Sequence, residues 1–434
     1  MAATLGVNRK TVQLAYDELV AQGWLTTQNR RGTFVSANVE STLPPPGGKA
    51  THDRCGEKIG GKLIPPSPPK EMVVFDDGAP DTRLVPVATL ARAYRGALMK
   101  LSRSNRLADE HPLGSPALRQ AIATMLNFDR GLPVSPERIC LTRGSQMAIF
   151  LVAALLSGPG TAVAVEDPGY PQAREAFRVA GAEVIPIPVD EHGLVTEALE
   201  RVCLQRPLRC LYVTPHHQYP TTAVMPPERR RHLLDLSDRF NFIIVEDDYD
   251  HEFHFTRNPI LPLASQNPDG NIIYIGSFSK IITPSLRSGY MVVPRRLLRR
   301  FAFGIARIDR QGDPAMEAAI AELIDEGEVR RHFNKALQVY VERRRSFAAI
   351  LERQLGPWVE FSVPEGGLAY WVRFRTPLAP AAFTARTRAA GVRILPGRLF
   401  TGQRAPLLAT RLGYAGGTVA ESEEGLRRLR RALD

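Results

Sequence analysis

Apolar and polar positions alternate along this chain with two different periods. Short β-branched or apolar runs recur at Arg138–Thr142, Thr161–Glu166, Glu183–Val189, Leu208–Thr214, Phe242–Asp247, Asn271–Gly276 and Gly289–Val293. Between several of them lie stretches with apolar residues at helical spacing, such as Tyr170–Ala180 and Pro227–Phe240. Strand alternating with helix predicts an α/β unit, a mostly parallel seven-stranded sheet with helices on both faces. After Pro294 the pattern changes to a long helical stretch (Glu317–Arg345), a strand-like GGLAYWVRF and a terminal helix from Glu421. That predicts a small α+β lobe. The expected boundaries are a domain over 76–434, with its large lobe at about 100–310 and its small lobe at about 311–434.

Before this domain the period differs. Asn8 suits a helix N-cap, and Val12, Ala15, Tyr16 and Leu19 share one helical face until Gly23. Trp24–Thr27 and Gly32–Ser36 then read as two strands joined by a turn through Asn29, Arg30 and Arg31. A helix opening on Arg9, Lys10 and Thr11, followed by a two-stranded wing, has the shape of a winged-helix DNA reader. Its first turn can meet base edges and its wing arginines phosphate. A helix–hairpin cap with solvated charges fits the pattern as well. Ser41 to Lys70 holds seven prolines and few apolar residues, which predicts an extended linker over 41–75 between the units.

Composition narrows the class. The chain has 434 residues, 44% hydrophobic and 7% aromatic, which excludes disordered and fibrous classes. The longest clean apolar run, Met147–Leu156, is far short of a bilayer span, and no charged-then-apolar leader is present. Four cysteines without a CxxC pair argue against a disulfide framework or zinc cluster. The expectation is a soluble, cytoplasmic protein. The net charge of +11 suggests nucleic acid, but residues 373–434 alone hold 12 arginines against 4 acids. A solvated helical face at Arg427, Arg428, Arg430 and Arg431 accounts for much of that excess.

The split between the basic residues is the sharper clue: 48 arginines stand against 8 lysines, and only Lys280 lies between Lys100 and Lys335. An amine condenses with an aldehyde and a guanidinium does not, although chance placement of a rare lysine explains the position too. Lys280 follows a buried-looking strand in a hydroxyl-rich loop, Gly276-Ser277-Phe278-Ser279-Lys280. Upstream, Glu246-Asp247-Asp248-Tyr249-Asp250 follows the apolar strand Phe242–Val245, where an open α/β sheet places its ligand. Pyridoxal phosphate needs a carboxylate opposite its ring nitrogen. It also needs a phosphate cup such as Arg143-Gly144-Ser145-Gln146 at a helix start, to which Arg287 can add a bidentate contact. The rival is a metal site drawn from Asp247, Asp250, His251, Glu252, His254 and the His216-His217 pair. No HExxH or EF-hand spacing supports it, and the expectation is no metal. No GxSxG elbow supports serine hydrolysis.

Leu5–Val35 resembles the GntR family pattern LGV.R.TV..AY..L...G........GTFV. That family's module begins well before this point, so the resemblance implies a truncated winged helix-turn-helix. A lone third helix and wing cannot bury their apolar face, which implies either an upstream coding start or impaired DNA binding. Residues 76–434 resemble fold-type I pyridoxal-phosphate aminotransferases and, with the N-terminal module, the MocR branch of GntR regulators. The motifs recur in order: Gly114–Arg119, Thr142–Ile149, Val165–Arg174, Tyr212–Thr221, Glu246–Phe253, Gly276–Tyr290 and Thr410–Ala415.

The resemblance implies that Lys280 holds pyridoxal 5'-phosphate, Asp247 faces its ring nitrogen, and Tyr249 lies with Gln218 and Tyr219 near its phenolate oxygen. It further implies that Ser145, Gln146, Ser277, Ser279 and Arg287 bind phosphate, that Arg411 holds an effector carboxylate, and that Tyr170 stacks near the ring. Two positions depart from the family: Asp109 replaces a usual tyrosine, and Thr222 replaces the glycine of a PTG turn. The expected function is a regulator sensing pyridoxal phosphate with an amine or amino acid, acting on operator DNA as a homodimer away from membranes. The alternative is an aminotransferase acting on an amino acid and a 2-oxo acid.

Overall fold

The computed structural model describes residues 2, 6–28, 31–36, 72–75, 78–108, 111–255, 260–309, 312–402 and 406–434. The chain divides into two units, Met1–Ser67 and Pro68–Asp434. Arg30, Asp109 and most of the expected linker lie outside the described residues.

In the first unit, Asn8 caps the helix Arg9–Ala21 by accepting from the Lys10 amide at 2.8 Å. After Gly23, strands Leu25–Gln28 and Gly32–Val35 pair antiparallel, Thr26 opposite Phe34. No residue of the helix is buried, and Leu14, Leu19, Trp24, Phe34 and Val35 are exposed.

The second unit is built on one sheet of eight strands. In spatial order these are Ile139–Thr142, Gly289–Val292, Ile272–Ser277, Ile243–Asp247, Cys210–Val213, Ala162–Asp167, Glu183–Asp190 and Gly193–Leu194. Seven match the expected strands. The eighth is a two-residue return pairing Val189 with Leu194, too short to carry a period of its own. Gly289–Val292 runs antiparallel to both its neighbours, and the five strands from Ile272–Ser277 to Glu183–Asp190 are mutually parallel. Successive residues feed opposite cores. Ala164, Leu211 and Ile244 pack on one face with Leu118, Ile122 and Leu233, while Val165, Tyr212 and Val245 pack on the other with Ile149, Val152 and Phe177. Burial on both faces is why these strands read as continuous apolar runs rather than alternating ones.

The lobes differ from the expected division. The long helical stretch is two helices, Pro314–Asp325 and Glu328–Leu355, broken at Gly327. The first packs against Val87–Arg103 and Pro116–Asp129 and buries Ile320 in the large-lobe core, so the large lobe extends past residue 310. The linker, in turn, ends before 75. Val73–Val74 pairs in parallel with Val392–Arg393, and Phe75 is buried among Phe347, Leu426 and other small-lobe residues. Proline and glycine upstream mask this short apolar run in the sequence. The small lobe is completed by the sheet Val359–Phe361, Ala369–Phe374 and Ala409–Gly413 and by the capped helix Val419–Arg431.

That docking generates a test. A Cβ on Gly425 would lie 2.6 Å from both Val73 Cγ1 and Phe75 Cζ. Gly425→Ala gains about 1 kcal/mol of helix propensity, but overpacking costs about 1–3 kcal/mol. Denaturant melts are expected to show a net loss of stability; a gain would mean the 73–75 segment does not pack here.

Candidate active site

The sheet register assembles the site. Thr142 lies opposite Gly289, Gly289 opposite Ser277, and Ile275 opposite Asp247. The loops that follow these strand ends, 143–146, 248–250 and 278–280, therefore leave the same edge of the sheet. This is the carboxyl edge, where open α/β sheets hold ligands.

One side of the edge is a cradle for an anion. Gly144, with φ +81°, precedes the helix Ser145–Leu156, whose first amides have no intrahelical acceptor. A Cβ at Gly144 would stand 3.6 Å from the Arg287 guanidinium, so the glycine keeps that space open. Arg287 donates to the Arg143 carbonyl at 3.0 Å and itself sits in the left-handed region, at φ 48°. Gln146 Oε1 is buried with no hydrogen-bond partner in the protein. The Ser279 amide donates to Ser277 Oγ at 3.1 Å, and Lys280 Nζ donates to the Gly78 carbonyl at 2.7 Å.

Asp247 is the buried centre of the edge. It is 3% exposed; Oδ2 accepts from the Tyr212 hydroxyl at 2.6 Å, and Oδ1 is buried without a partner. Burial pushes its carboxyl up to about 7, with the Tyr212 hydroxyl pulling back and Asp248 and Asp250 adding to the rise. A carboxylate with one buried oxygen unsatisfied suits a cationic N–H donor such as a protonated pyridine ring. Glu166 also lies buried nearby, accepting from the Thr214 hydroxyl at 2.6 Å, and burial raises it to about 8.

The opposite wall is aromatic. Tyr170 and Tyr219 meet edge to face at 5.0 Å, and Tyr219 and Tyr249 at 6.0 Å. Arg411, on the small-lobe strand Ala409–Gly413, lies with its guanidinium carbon 4.7 Å from the Tyr219 ring centroid. It donates to the Tyr249 hydroxyl at 3.3 Å and the Pro220 carbonyl at 3.4 Å. Tyr249 in turn donates to the His217 carbonyl at 3.1 Å. Gln218 differs from its expected use. Its amide nitrogen donates to the Pro168 and Tyr219 carbonyls, and its oxygen accepts from Thr221. It shapes the turn and has no polar atom to spare for a ligand. Thr222 keeps the left-handed conformation, φ 65°, that glycine usually supplies, and its amide donates to the Gln218 carbonyl at 2.7 Å.

Not every expected residue joins this edge. Arg9, Lys10 and Thr11 form the exposed first turn of the N-terminal helix, and Arg31 is exposed in the wing turn. His251, Glu252 and His254 turn away from Asp247: Glu252 pairs with buried Arg130, and the histidines gather with His216 and His217. Sequence reasoning missed Tyr212, Glu166 and Gly78. The first two stand inside motifs already quoted, and an ionisable residue within an apolar strand was the available signal. Gly78 contributes only a carbonyl, which leaves no trace in sequence.

These features define a cleft for a phosphorylated, aldehyde-bearing aromatic cofactor. Residues 70–429 match the family model "Aminotransferase class I and II", and residues 1–35 match "Bacterial regulatory proteins, gntR family". The chain is 31% identical to the "Probable rhizopine catabolism regulatory protein MocR" of Rhizobium meliloti over 447 residues, covering 100% of this chain and 88% of that protein. It is 31% identical over 443 residues to the "HTH-type transcriptional regulator TauR" of Rhodobacter capsulatus, covering 100% and 90%. Among solved structures, α-aminoadipate aminotransferase LysN of Thermus thermophilus, complexed with N-(5'-phosphopyridoxyl)-L-leucine, matches with TM-score 0.77 and 29% identity, over 84% of this chain and 92% of that one. The chain belongs to the aminotransferase class I and II family, in the MocR-type branch that joins this fold to a GntR domain. Its cofactor is pyridoxal phosphate.

Asp247 gives a prediction whose sign follows from burial. In the cofactor-free protein its folded pKa of about 7 exceeds the ordinary 3.8, so the folded state keeps a proton the unfolded state has released. Its contribution to stability is present below pH 4 and is lost as pH rises to about 7, by at most about 4 kcal/mol. Thermal melts at pH 5 and pH 8 are expected to show a smaller loss for Asp247→Asn than for the parent chain. An equal loss in both would place the effect on Glu166 or Glu246 instead.

Proposed function

We propose that this chain is a transcriptional regulator that reads a pyridoxal-phosphate cofactor and, through it, a small amine or amino acid. The observation carrying this reading is the union of a helix-and-wing unit with a cofactor fold in one chain, along which proteins named as regulators align end to end. When bound, the cofactor supplies an aldehyde that condenses with amines and a ring that accepts electrons. Lys280 presents the amine that holds it. The buried Asp247 keeps a proton on the ring nitrogen, and Tyr212 fixes the orientation of that carboxylate. Ser145, Gln146, Ser277, Ser279, Arg287 and the amides after Gly144 grip the phosphate. Tyr219 and Tyr249 border the phenolate edge, Gln218 supports them through its turn, and Tyr170 packs near the ring.

Arg411 receives the effector's carboxylate by exchanging its contacts with Tyr249 and Pro220. Because Arg411 belongs to the small-lobe sheet, that exchange couples occupancy to lobe position. The reader residues Arg9, Lys10, Thr11, Arg30 and Arg31 meet operator DNA, the helix start at base edges and the wing at phosphates. A homodimer presents two such readers. The second reading, an aminotransferase, draws support from the complete set Lys280, Asp247 and Arg411 and from the aminotransferase neighbours.

Lys280→Ala, purified with cofactor, is expected to lose the visible absorbance band of the bound form; retention would remove Lys280 from the site. In a gel-shift assay on the gene's own upstream DNA, amino acids are expected to change binding by the parent chain and not by Arg411→Ala. Turnover of an amino donor with a keto acid, without any effect on DNA, would favour the enzyme.

A further inference from the structure

Four of the chain's nine histidines meet behind the cofactor edge. His216 and His217 follow the strand Cys210–Val213, and His251 and His254 follow Ile243–Asp247, so the parallel pairing of these strands delivers both loops to one place. The ring of His216 is central, with centroids 4.6 Å from His217, 4.5 Å from His251 and 4.1 Å from His254. Its Nε2 faces His254 Nε2. His216 and His217 are 2% and 1% exposed.

The hydrogen bonds leave nitrogen lone pairs over. His217 Nδ1 lies 2.8 Å from Asp250 Oδ1, the arrangement in which a carboxylate takes the Nδ1 proton and leaves Nε2 as the donor atom. That Nε2 is buried with no partner, and so is Nδ1 of His216. An unsatisfied buried nitrogen gives up its hydrogen bond to water without replacement. Protonation cannot relieve the cluster as a whole, since cations at these separations repel in a buried setting. A single cation accepting lone pairs from His217 Nε2 and from the facing Nε2 atoms of His216 and His254 meets three of these nitrogens at once.

We propose that His216, His217 and His254 form a binding site for a divalent transition ion of the zinc class. One nitrogen from each lies within 4.8 Å of the others, so that ring rotations suffice to bring them to the about 2.0–2.1 Å that zinc takes from imidazole nitrogen. Three imidazoles suit zinc, nickel, cobalt or copper and disfavour magnesium or calcium, which take oxygen ligands. Asp250 is the outer carboxylate that orients His217. His254 is half-buried and lines a cleft of about 860 Å³ with His251 and Glu252, so an ion has an entry path and room for a water. His217 also connects the two sites. Its carbonyl accepts from Tyr249, whose hydroxyl meets Arg411, so an ion on His217 stiffens the loop under the proposed effector site.

The test uses the full chain, stripped with a chelator and dialysed against Zn²⁺ alone, with bound metal counted by elemental analysis. One ion per chain is expected. His254→Gln is expected to weaken retention on the order of 100-fold, while His192→Gln, at an exposed histidine remote from the cluster, leaves it unchanged. Loading with Co²⁺ is expected to give visible bands of nitrogen-ligated cobalt in the parent chain and not in His254→Gln. Failure of the parent chain to retain one ion, or equal retention by His254→Gln, overturns the site. If His254→Gln loses its fold, the parent chain's cobalt spectrum decides alone, and absence of nitrogen-ligand bands overturns the proposal. Neither readout involves DNA, effector or the Lys280 band, so the metal site stands or falls apart from the regulator reading.

Discussion

A carboxylate buried in a sheet is the constraint around which this molecule is arranged. Asp247 ends a strand that is apolar on both faces, and the protein meets only one of its oxygens, through Tyr212. A group in that state raises its own pKa and weakens the fold unless something positive arrives. The cradle at Gly144 and Arg287 and the amine of Lys280 lie along the same edge because the strands are in register there. The buried carboxylate, the glycine–arginine loop and the amine therefore come as one set along that edge.

The parallel sheet also explains why two sites lie so close together. Residues around and after the strand end at Asp247 divide between two directions. Asp247 and Tyr249 point toward the aromatic wall, while Asp248, His251 and His254 gather on the side of Arg130 and His216. Asp248 accepts from the Tyr274 hydroxyl at 2.6 Å and lies 3.6 Å from Arg130, which makes this face a network of fixed charges rather than solvent. One short acidic run thus serves two environments of opposite character.

Much of this was legible beforehand. The seven principal strands follow from apolar runs, because burial on both faces leaves a continuous signal. Lys280 and Asp247 stand out by residue type and by their position at strand ends, whereas Arg411, inside the strand Ala409–Gly413, is singled out only through the family resemblance. Features carried by backbone or by distant pairing were not legible. Nothing marks Gly78 as the acceptor for Lys280. The strand Val73–Val74 is too short to separate from the proline-rich stretch before it, and its partner lies more than three hundred residues away. The histidines of the cluster are named in the sequence as a rival metal site and set aside there, because its halves, separated by the helix Pro227–Phe240 and one strand, match no familiar ligand spacing. Of the acidic residues in the short acidic run, Asp250 pairs with His217 and Asp248 with Arg130 and His251. Residue type alone does not reveal that the Gln218 side-chain amide is taken up by the Pro168 and Tyr219 carbonyls and by Thr221.

The bond from Lys280 to the Gly78 carbonyl gives the amine a second meaning. A lysine engaged elsewhere gives up this contact. Gly78 lies three residues beyond Phe75, in the segment that enters the small lobe beside Val392–Arg393. The amine is thus hydrogen-bonded to the stretch that opens the domain, 202 residues before it in sequence. Substituting Lys280 therefore removes a link between the sheet edge and that stretch as well as the amine itself.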